Sequence, residues 1–292
     1  MIIHRPVLRD EAIEYLNVLS NHHYIDCTLG GGGHTEAILE KNGPKGVVIA
    51  FELDAETIVR TKKRLKRFGK RLIVINDNFR NILNAKRYTL NASGVLYDLG
   101  TSMDLLKSSG RGFSFMHDEP LDMRFSDDTD VTAENIVNRW SEKDIADTIF
   151  QYGEERLSRR IAKLIVESRK KEKITTTHDL VAIIERAFPP RLRHGRIHCA
   201  TRTFQALRIA VNDELKNLQG SLEKAVEVVS KGRVVVISFH SLEDRIVKQF
   251  FKMNQLKGTG KILTKKPVTA SEEEVEENPS SRSAKLRAFQ IV

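Results

Sequence analysis

The segment Asp26-Cys-Thr-Leu-Gly30-Gly31-Gly32-Gly33-His34-Thr35 is the sharpest chemical signal in the 292-residue chain. Glycines between a strand and a helix let a ligand approach the backbone closely. The free N–H groups and positive dipole end of the helix that follows suit an anionic group. Three ligand classes use this device. A phosphate-binding loop needs G-x-x-x-x-G-K-[ST], which is absent; Gly258-Thr-Gly-Lys261 fails because Gln255 stands at the first position and Ile262 follows the lysine. A dinucleotide loop needs G-x-G-x-x-G/A, and Thr35 or Glu36 breaks the third position. The third class binds S-adenosylmethionine, and there an acid precedes the glycines as Asp26 does.

Further polar groups follow at the spacing of successive strand ends. Glu52 and Asp54 lie about 20 residues beyond the glycines, where a carboxylate can accept hydrogen bonds from both hydroxyls of a ribose. Glu52 is the first choice; Asp54 reads better as the N-cap of the next helix. Asn76-Asp77-Asn78-Phe79 offers a ring for an adenine, or a turn with a core aromatic. Tyr97-Asp98-Leu99-Gly100 places Asp98 at a fourth strand end, where it can accept a proton from a nucleophilic amine or serve the cofactor alone. In Phe239-His240-Ser241-Leu242-Glu243-Asp244, the acids suit the first turn of a helix capped by Ser241, while Phe239 and His240 would border the crevice. His194, His198 and Cys199 sit on an Arg-rich stretch without a partner carboxylate, so no metal is expected.

Alternating elements must position these groups. Helical spacing covers Leu8 to Leu19, and strand-like runs cover Tyr24–Leu29, Val47–Leu53, Leu72–Ile75 and Val95–Leu99. The helix between the second and third strands spans Thr57–Phe68, with Ile58, Leu65 and Phe68 inward. This order argues for a parallel α/β sheet with right-handed crossovers. The next strand is Arg233–Phe239. The stretch between is too long for a loop, so an inserted helical domain is expected. Its apolar stripes are Leu157, Ile161, Leu164 and Ile165; Leu180, Ile184 and Phe188; and Phe204, Leu207, Val211, Leu215 and Leu218, with Pro189-Pro190 ending the second. The expected boundaries are 1–109 and 216–292 for the discontinuous sheet domain and 110–215 for the insertion. Leu242–Phe251 reads as a helix, 254–283 as a polar mobile loop and Ala284–Val292 as a last strand.

Lys and Arg number 48 against 39 Asp and Glu, a net charge of +9. Residues 151–210 hold 14 basic and 6 acidic side chains, and Arg60–Arg71 holds eight basic residues in twelve with no acid. Such excess attracts polyanions or forms a solvated helix surface. Two cysteines exclude a disulfide framework. No apolar run approaches the ~18–20 residues of a membrane span, and charges at Arg5, Arg9, Asp10 and Glu11 stand where a leader peptide is apolar. The expectation is a cytoplasmic protein with no membrane partner.

These motifs, in this order, resemble the MraW family of ribosomal RNA small subunit methyltransferases. The similarity runs nearly end to end. It includes His4-Arg-Pro-Val-Leu8, the glycine loop, Asp98-Leu-Gly100, Arg111-Gly-Phe-Ser-Phe115 and Pro120-Leu-Asp-Met-Arg124. It continues through Tyr152-Gly-Glu-Glu-Arg156 and Ala200-Thr-Arg-Thr-Phe-Gln-Ala-Leu-Arg208. It ends with Ile237-Ser-Phe-His-Ser-Leu-Glu-Asp-Arg245 and Asn278-Pro-Ser-Ser-Arg-Ser283 through Leu286-Arg287. The resemblance implies a class I S-adenosylmethionine-dependent methyltransferase, a Rossmann-like, mostly parallel α/β sheet interrupted by a helical domain that recognises RNA. It implies methylation of the exocyclic N4 amine of a cytidine in the decoding centre of 16S rRNA, within the small ribosomal subunit, and a homodimer. Carried over by position, the cofactor contacts fall on Gly32, Gly33, His34, Glu52, Phe79 and Asp98. Two departures stand out: Glu52 replaces the Asp of many relatives, and Leu105 aligns with a Gln.

Cytosine N4 is a poor nucleophile, so a site for it must hold the amine close and partly desolvated, with an acceptor for its N–H. Asp98 is the expected catalytic residue. The base must leave its stack; Phe113, Phe115 and Phe239 are candidates to stack on it or to fill the core. Arg191, Arg193, Arg196 and Arg202 are candidates for phosphate contacts. The alternatives are another nucleic-acid amino-methyltransferase and a non-catalytic RNA-binding protein on the same fold.

Overall fold

The computed structural model describes residues 6–89, 91–100, 110–127, 129–193, 195 and 197–292. Leu105, His194 and Arg196 lie outside the described residues. Among the described residues there are seven strands: β1 Tyr24–Asp26, β2 Val48–Glu52, β3 Leu72–Asn76, β4 Ala92–Asp98, β5 Val229–Ser238, β6 Gly260–Ile262 and β7 Lys285–Ile291. Their order is β3-β2-β1-β4-β5-β7-β6. The first five run parallel, and β7 is antiparallel to both β5 and β6. This is the class I, Rossmann-like methyltransferase topology, and the sheet is mostly parallel.

Alternation along the strands divides the core into two layers. Ile25, Ile49, Val95 and Val234 are in register and feed one cluster; Tyr24, Val48, Leu96 and Val235 feed the other. Burial on both faces is why these strands read as continuous apolar runs. The chain reverses its direction of growth at β1, which pairs with both β2 and β4. Ligands of open α/β sheets bind at such a switch point, outside the carboxyl ends of the strands. Asp26, Glu52 and Asp98 are the last residues of β1, β2 and β4.

The chain divides into two compact units, residues 1–100 with 215–292, and residues 101–214. The sheet unit carries helices α1 Arg9–Leu16, α2 Gly33–Lys41, α3 Ala55–Arg64, α9 Glu214–Val228 (from Leu215 onward), α10 Ser241–Leu256 and α11 Glu272–Glu277. The helical unit carries α4 Ala133–Arg139, α5 Glu142–Gly153, α6 Ser158–Arg169, α7 Thr177–Ala187 and α8 Thr201–Asn212. Thr132 and Thr176 open α4 and α7 with capping boxes. Ile136, Ile145, Ile149, Ile161, Ile165, Ile184 and Leu207 meet in the core of this unit.

Four sequence expectations are corrected. The single stripe from Phe204 to Leu218 is two helices, because Asp213 adopts φ 50° and stops α8. Asn212 beside it is drawn to Met123 O and Phe125 N. Residues 254–283 are not a loop throughout: they form β6, α11 and a 3-10 turn at Pro279–Ser283. Their order comes from β7, which pairs with β6, bridges Val268 through Leu286 and donates Ala288 N–H to Thr264 Oγ1. Helix α3 stops at Arg64 and a tighter turn, Lys66–Arg71, carries the chain past Phe68. Helix α1 is shorter than its pattern, ending where Asn17 turns left-handed at φ 54°. Among the described residues no helix is long and apolar enough to cross a membrane.

Candidate active site at the strand ends of the sheet unit

Buried Asp26 organises the start of the glycine loop. Its Oδ1 accepts Thr28 N–H at 3.0 Å, and its Oδ2 accepts the Thr35 hydroxyl at 2.6 Å. Burial pushes its carboxyl above the usual range, opposed by the Thr35 bond. Asp26 is therefore a brace that ties the two ends of the loop together. Gly32 sits at φ 77°, and a Cβ there would lie 2.6 Å from Thr61 Cγ2 of α3. A Cβ on Gly33 would lie 2.7 Å from Pro6 Cγ. Both glycines are thus demanded by close packing of the loop on its own scaffold. Helix α3 holds the loop further: Thr61 Oγ1 donates to Gly30 O at 2.8 Å, and the Arg64 guanidinium donates to Gly31 O and pairs with Glu36.

Glu52 closes the other side of the loop. Its Oε2 accepts Gly30 N–H at 2.9 Å, and its Oε1 accepts Leu53 N–H and Asp54 N–H at 2.9 and 3.0 Å. Burial raises its carboxyl above the usual range against these three donors. A carboxylate offers about four lone-pair sites, so the described partners leave one, on Oε2. That site can accept a ribose hydroxyl. Asp54 caps α3 by accepting Thr57 N–H at 2.8 Å, as its position suggested.

At the end of β3, Asp77 holds its turn together by accepting from Asn78 N–H, Asn81 Nδ2 and Asn84 Nδ2. Phe79 is half-buried and meets Tyr97 edge-on, with centroids 5.8 Å apart. The Phe79 carbonyl accepts the Ser221 hydroxyl at 2.9 Å, and Ser221 Oγ lies 2.8 Å from the Tyr97 hydroxyl. The ring thus packs on the core while remaining partly exposed. Ser221 had no sequence signal; its role depends on α9 crossing beneath β4.

Asp98 ends β4. Its N–H is fixed by Thr28 Oγ1 at 2.7 Å, and its side chain remains 25% exposed. Its Oδ2 lies 3.5 Å from Nε2 of His34, in the first turn of α2. Among the described residues, neither imidazole nitrogen nor Asp98 Oδ1 has a hydrogen-bond partner. Burial pulls the His34 imidazole down, but the Asp98 and Asp26 carboxylates outweigh it and leave it above the ordinary histidine value. Beyond β5, Phe239 lies against Gly100, where a Cβ would come within 2.8 Å of its ring. His240, rather than Ser241, is the N-cap of α10: its Nδ1 accepts Glu243 N–H, and Glu243 returns the bond to the Phe239 and His240 N–H groups. An imidazole acceptor in a capping box is unusual enough that the serine was the natural sequence choice.

Gly32, Gly33, His34, Glu52, Phe79 and Asp98 therefore all belong to the sheet unit, around the ends of β1 to β4. Other candidates lie in the helical unit. Phe113 is buried and stacks on Phe125 at 5.4 Å; Phe115 packs between His198 and Phe204. Phe113 is a core aromatic, and Phe115 is half-buried against the same core. His198 Nε2 lies 3.5 Å from Glu185 Oε1, a partner carboxylate that local sequence did not reveal.

The strand-end groups fit S-adenosylmethionine, a cation with a ribose, an adenine and an amino-acid tail. Asp26, Glu52 and Asp98 make the crevice acidic, which opposes a polyphosphate and favours a sulfonium. The unpartnered buried atoms of His34 and Asp98 are groups that a polar ligand would satisfy.

The model of the MraW methylase family matches residues 1–292. The ribosomal RNA small subunit methyltransferase H of Sulfurihydrogenibium azorense is 47% identical over 290 residues, covering 98% of each chain. The protein of the same name from Dehalococcoides mccartyi is 45% identical over 308 residues, covering 99% of this chain and 86% of that one. Among solved structures, a putative rRNA-methylase from Clostridium thermocellum aligns over 99% of both chains with a TM-score of 0.47 and 14% identity. With its fold and its full-length match, the chain belongs to the MraW methylase family, whose members are S-adenosylmethionine-dependent methyltransferases.

Proposed function

We propose that this enzyme methylates ribosomal RNA, at the exocyclic N4 amine of a cytidine in the decoding centre of 16S rRNA, with the small ribosomal subunit as partner. The names of its relatives support rRNA as substrate. The observation that carries the amine is Asp98 Oδ1, a buried acceptor with no partner at the end of the strand beside the glycine loop.

S-adenosylmethionine supplies an electrophilic methyl group when bound. Gly32 and Gly33 bring the backbone close to it, Glu52 offers Oε2 to a ribose hydroxyl, Phe79 offers a face to the adenine, and His34 and Asp98 border the reacting end. Asp98 accepts the N–H of the amine, aims its lone pair and favours the positive charge that develops on nitrogen. Partial burial of the carboxylate strengthens that interaction relative to water.

Residues 110–215 act in this reading as the RNA-recognition domain. Exposed Arg156, Arg159, Arg160 and Arg191 offer phosphate contacts. Arg193, which donates to Phe188 O, and Arg202, 3.7 Å from Glu155, are partly engaged within the unit. The enzyme acts as a cytoplasmic homodimer.

The test is methyl transfer from labelled S-adenosylmethionine to small subunits lacking modifications, followed by nucleoside analysis. Label in N4-methylcytidine at a decoding-centre position is expected. Label in another nucleoside, or none in subunits or free rRNA despite cofactor binding, would overturn the reading.

A further inference from the structure

We propose that His34 is a positioning residue for Asp98: its imidazole occupies the Oδ2 edge of the carboxylate and leaves Oδ1 to take the proton released by the methylated amine. The inference rests on the amine reading above and adds a proton path to it.

The geometry around the pair is asymmetric. The Asp98 backbone is fixed on both sides, by Thr28 Oγ1 and by the bond from Leu99 N–H to Ile237 O. The carboxylate can still rotate about its own bonds, and His34 Nε2, 3.5 Å from Oδ2, is the cationic group that faces it. The imidazole is 4% exposed and has no hydrogen-bond partner among the described residues. A buried ring left so is costly unless a charge compensates it. Among the described residues, the charged groups that face it are Asp98 from β4, Asp26 from β1 and Arg9 from α1. The two acids prevail over the arginine and over burial, so the ring holds its proton beyond the ordinary histidine range.

The chemistry asks for this arrangement. The N4 lone pair forms the new N–C bond as the carbon–sulfur bond breaks and its electron pair stays on sulfur. One N–H proton then passes to Asp98 Oδ1, and the electron pair of that bond remains on nitrogen. A methylated exocyclic ammonium is a far stronger acid than a carboxylic acid, so Asp98 needs no added basicity. It needs to be anionic and correctly aimed. An imidazolium at Oδ2 secures both, and the proton on Oδ1 leaves to water as product departs.

The experiment combines two readouts on the full chain. Imidazole NMR titration of His34 is compared in wild type and Asp98→Asn, and kcat is measured against pH in wild type, His34→Gln and His34→Leu at saturating cofactor. Removing the Asp98 charge should bring the His34 titration down. His34→Leu should lose about 100-fold in kcat, and His34→Gln, which keeps a neutral N–H donor, about 10-fold, with the KM for RNA unchanged. The alkaline decline of wild-type kcat should be absent in His34→Gln. A His34 titration indifferent to Asp98→Asn, or a His34→Leu enzyme with wild-type kcat, would overturn the proposal. If wild type transfers no methyl to a cytidine amine, the function reading fails, and the titration still decides the pair.

Discussion

In the sheet unit, several charged side chains turn inward. Arg64 and Arg71 donate to carbonyls of the segments they pack on, Arg287 pairs with Asp244 at 2.6 Å, and Glu52 accepts three backbone N–H groups. In the helical unit, Arg156, Arg159, Arg160 and Arg191 point to solvent, and its core is built from isoleucine and leucine. The difference shows that a basic run in sequence does not have one meaning. Of the cations between Arg60 and Arg71, Arg64, Arg67 and Arg71 are engaged with Glu36, Glu40 and backbone carbonyls. Part of that run therefore fastens α3 and the turn after it to the glycine loop and α2. The excess at 151–210 has fewer internal uses and is better placed to meet phosphate.

Substitutions can break or sharpen this contrast. The largest effect belongs to Asp98→Asn, which should lower the single-turnover rate of methyl transfer by about 10²- to 10⁴-fold. Thermal unfolding should show only a small loss, that of the charge facing the buried His34 imidazole. Next comes the combined Arg156→Ala, Arg159→Ala and Arg160→Ala variant. RNA affinity should fall about 10- to 100-fold and the slope of log affinity against log salt should drop by about 2. Urea unfolding should move by less than about 0.5 kcal/mol; a large loss of stability would erase the distinction between the units.

Glu52→Gln should show the opposite signature. Three backbone donors lose a charged acceptor, at about 2 kcal/mol of stability in urea unfolding, and S-adenosylmethionine affinity falls in calorimetry while RNA affinity holds. The smallest effect is the pH dependence of the His34 contribution. Its folded pKa is raised, so the stability it adds is fully present below the unfolded histidine value of about 6.5 and is lost as pH rises through the folded value. The stability advantage of wild type over His34→Gln should shrink between pH 6 and 9; an advantage that grows with pH would contradict the pairing.

The strands were legible because both of their faces are buried, which leaves unbroken runs such as Val48–Phe51. The glycine loop, and the places of Glu52 and Asp98 at strand ends, were legible from spacing. What was hidden depends on distant partners. The segment 254–283 owes much of its order to contacts with β7, so its polar composition read as a loop. Asp213 stops a helix inside an apolar stripe that continues past it. His34 and Asp98 are 64 positions apart in sequence, and only the parallel register of β1 and β4 brings them together. Glu52 was readable as a position, but its remaining hydrogen-bond capacity was not.

In the proposed division of labour, the sheet unit performs the chemistry and the helical unit binds the RNA. Single-turnover methyl transfer by the triple Arg156, Arg159 and Arg160 variant, measured across RNA concentration with saturating S-adenosylmethionine, tests it most directly. The account predicts a weaker half-saturation by RNA with an unchanged rate constant at saturation. A rate constant that stays depressed at saturating RNA would contradict it.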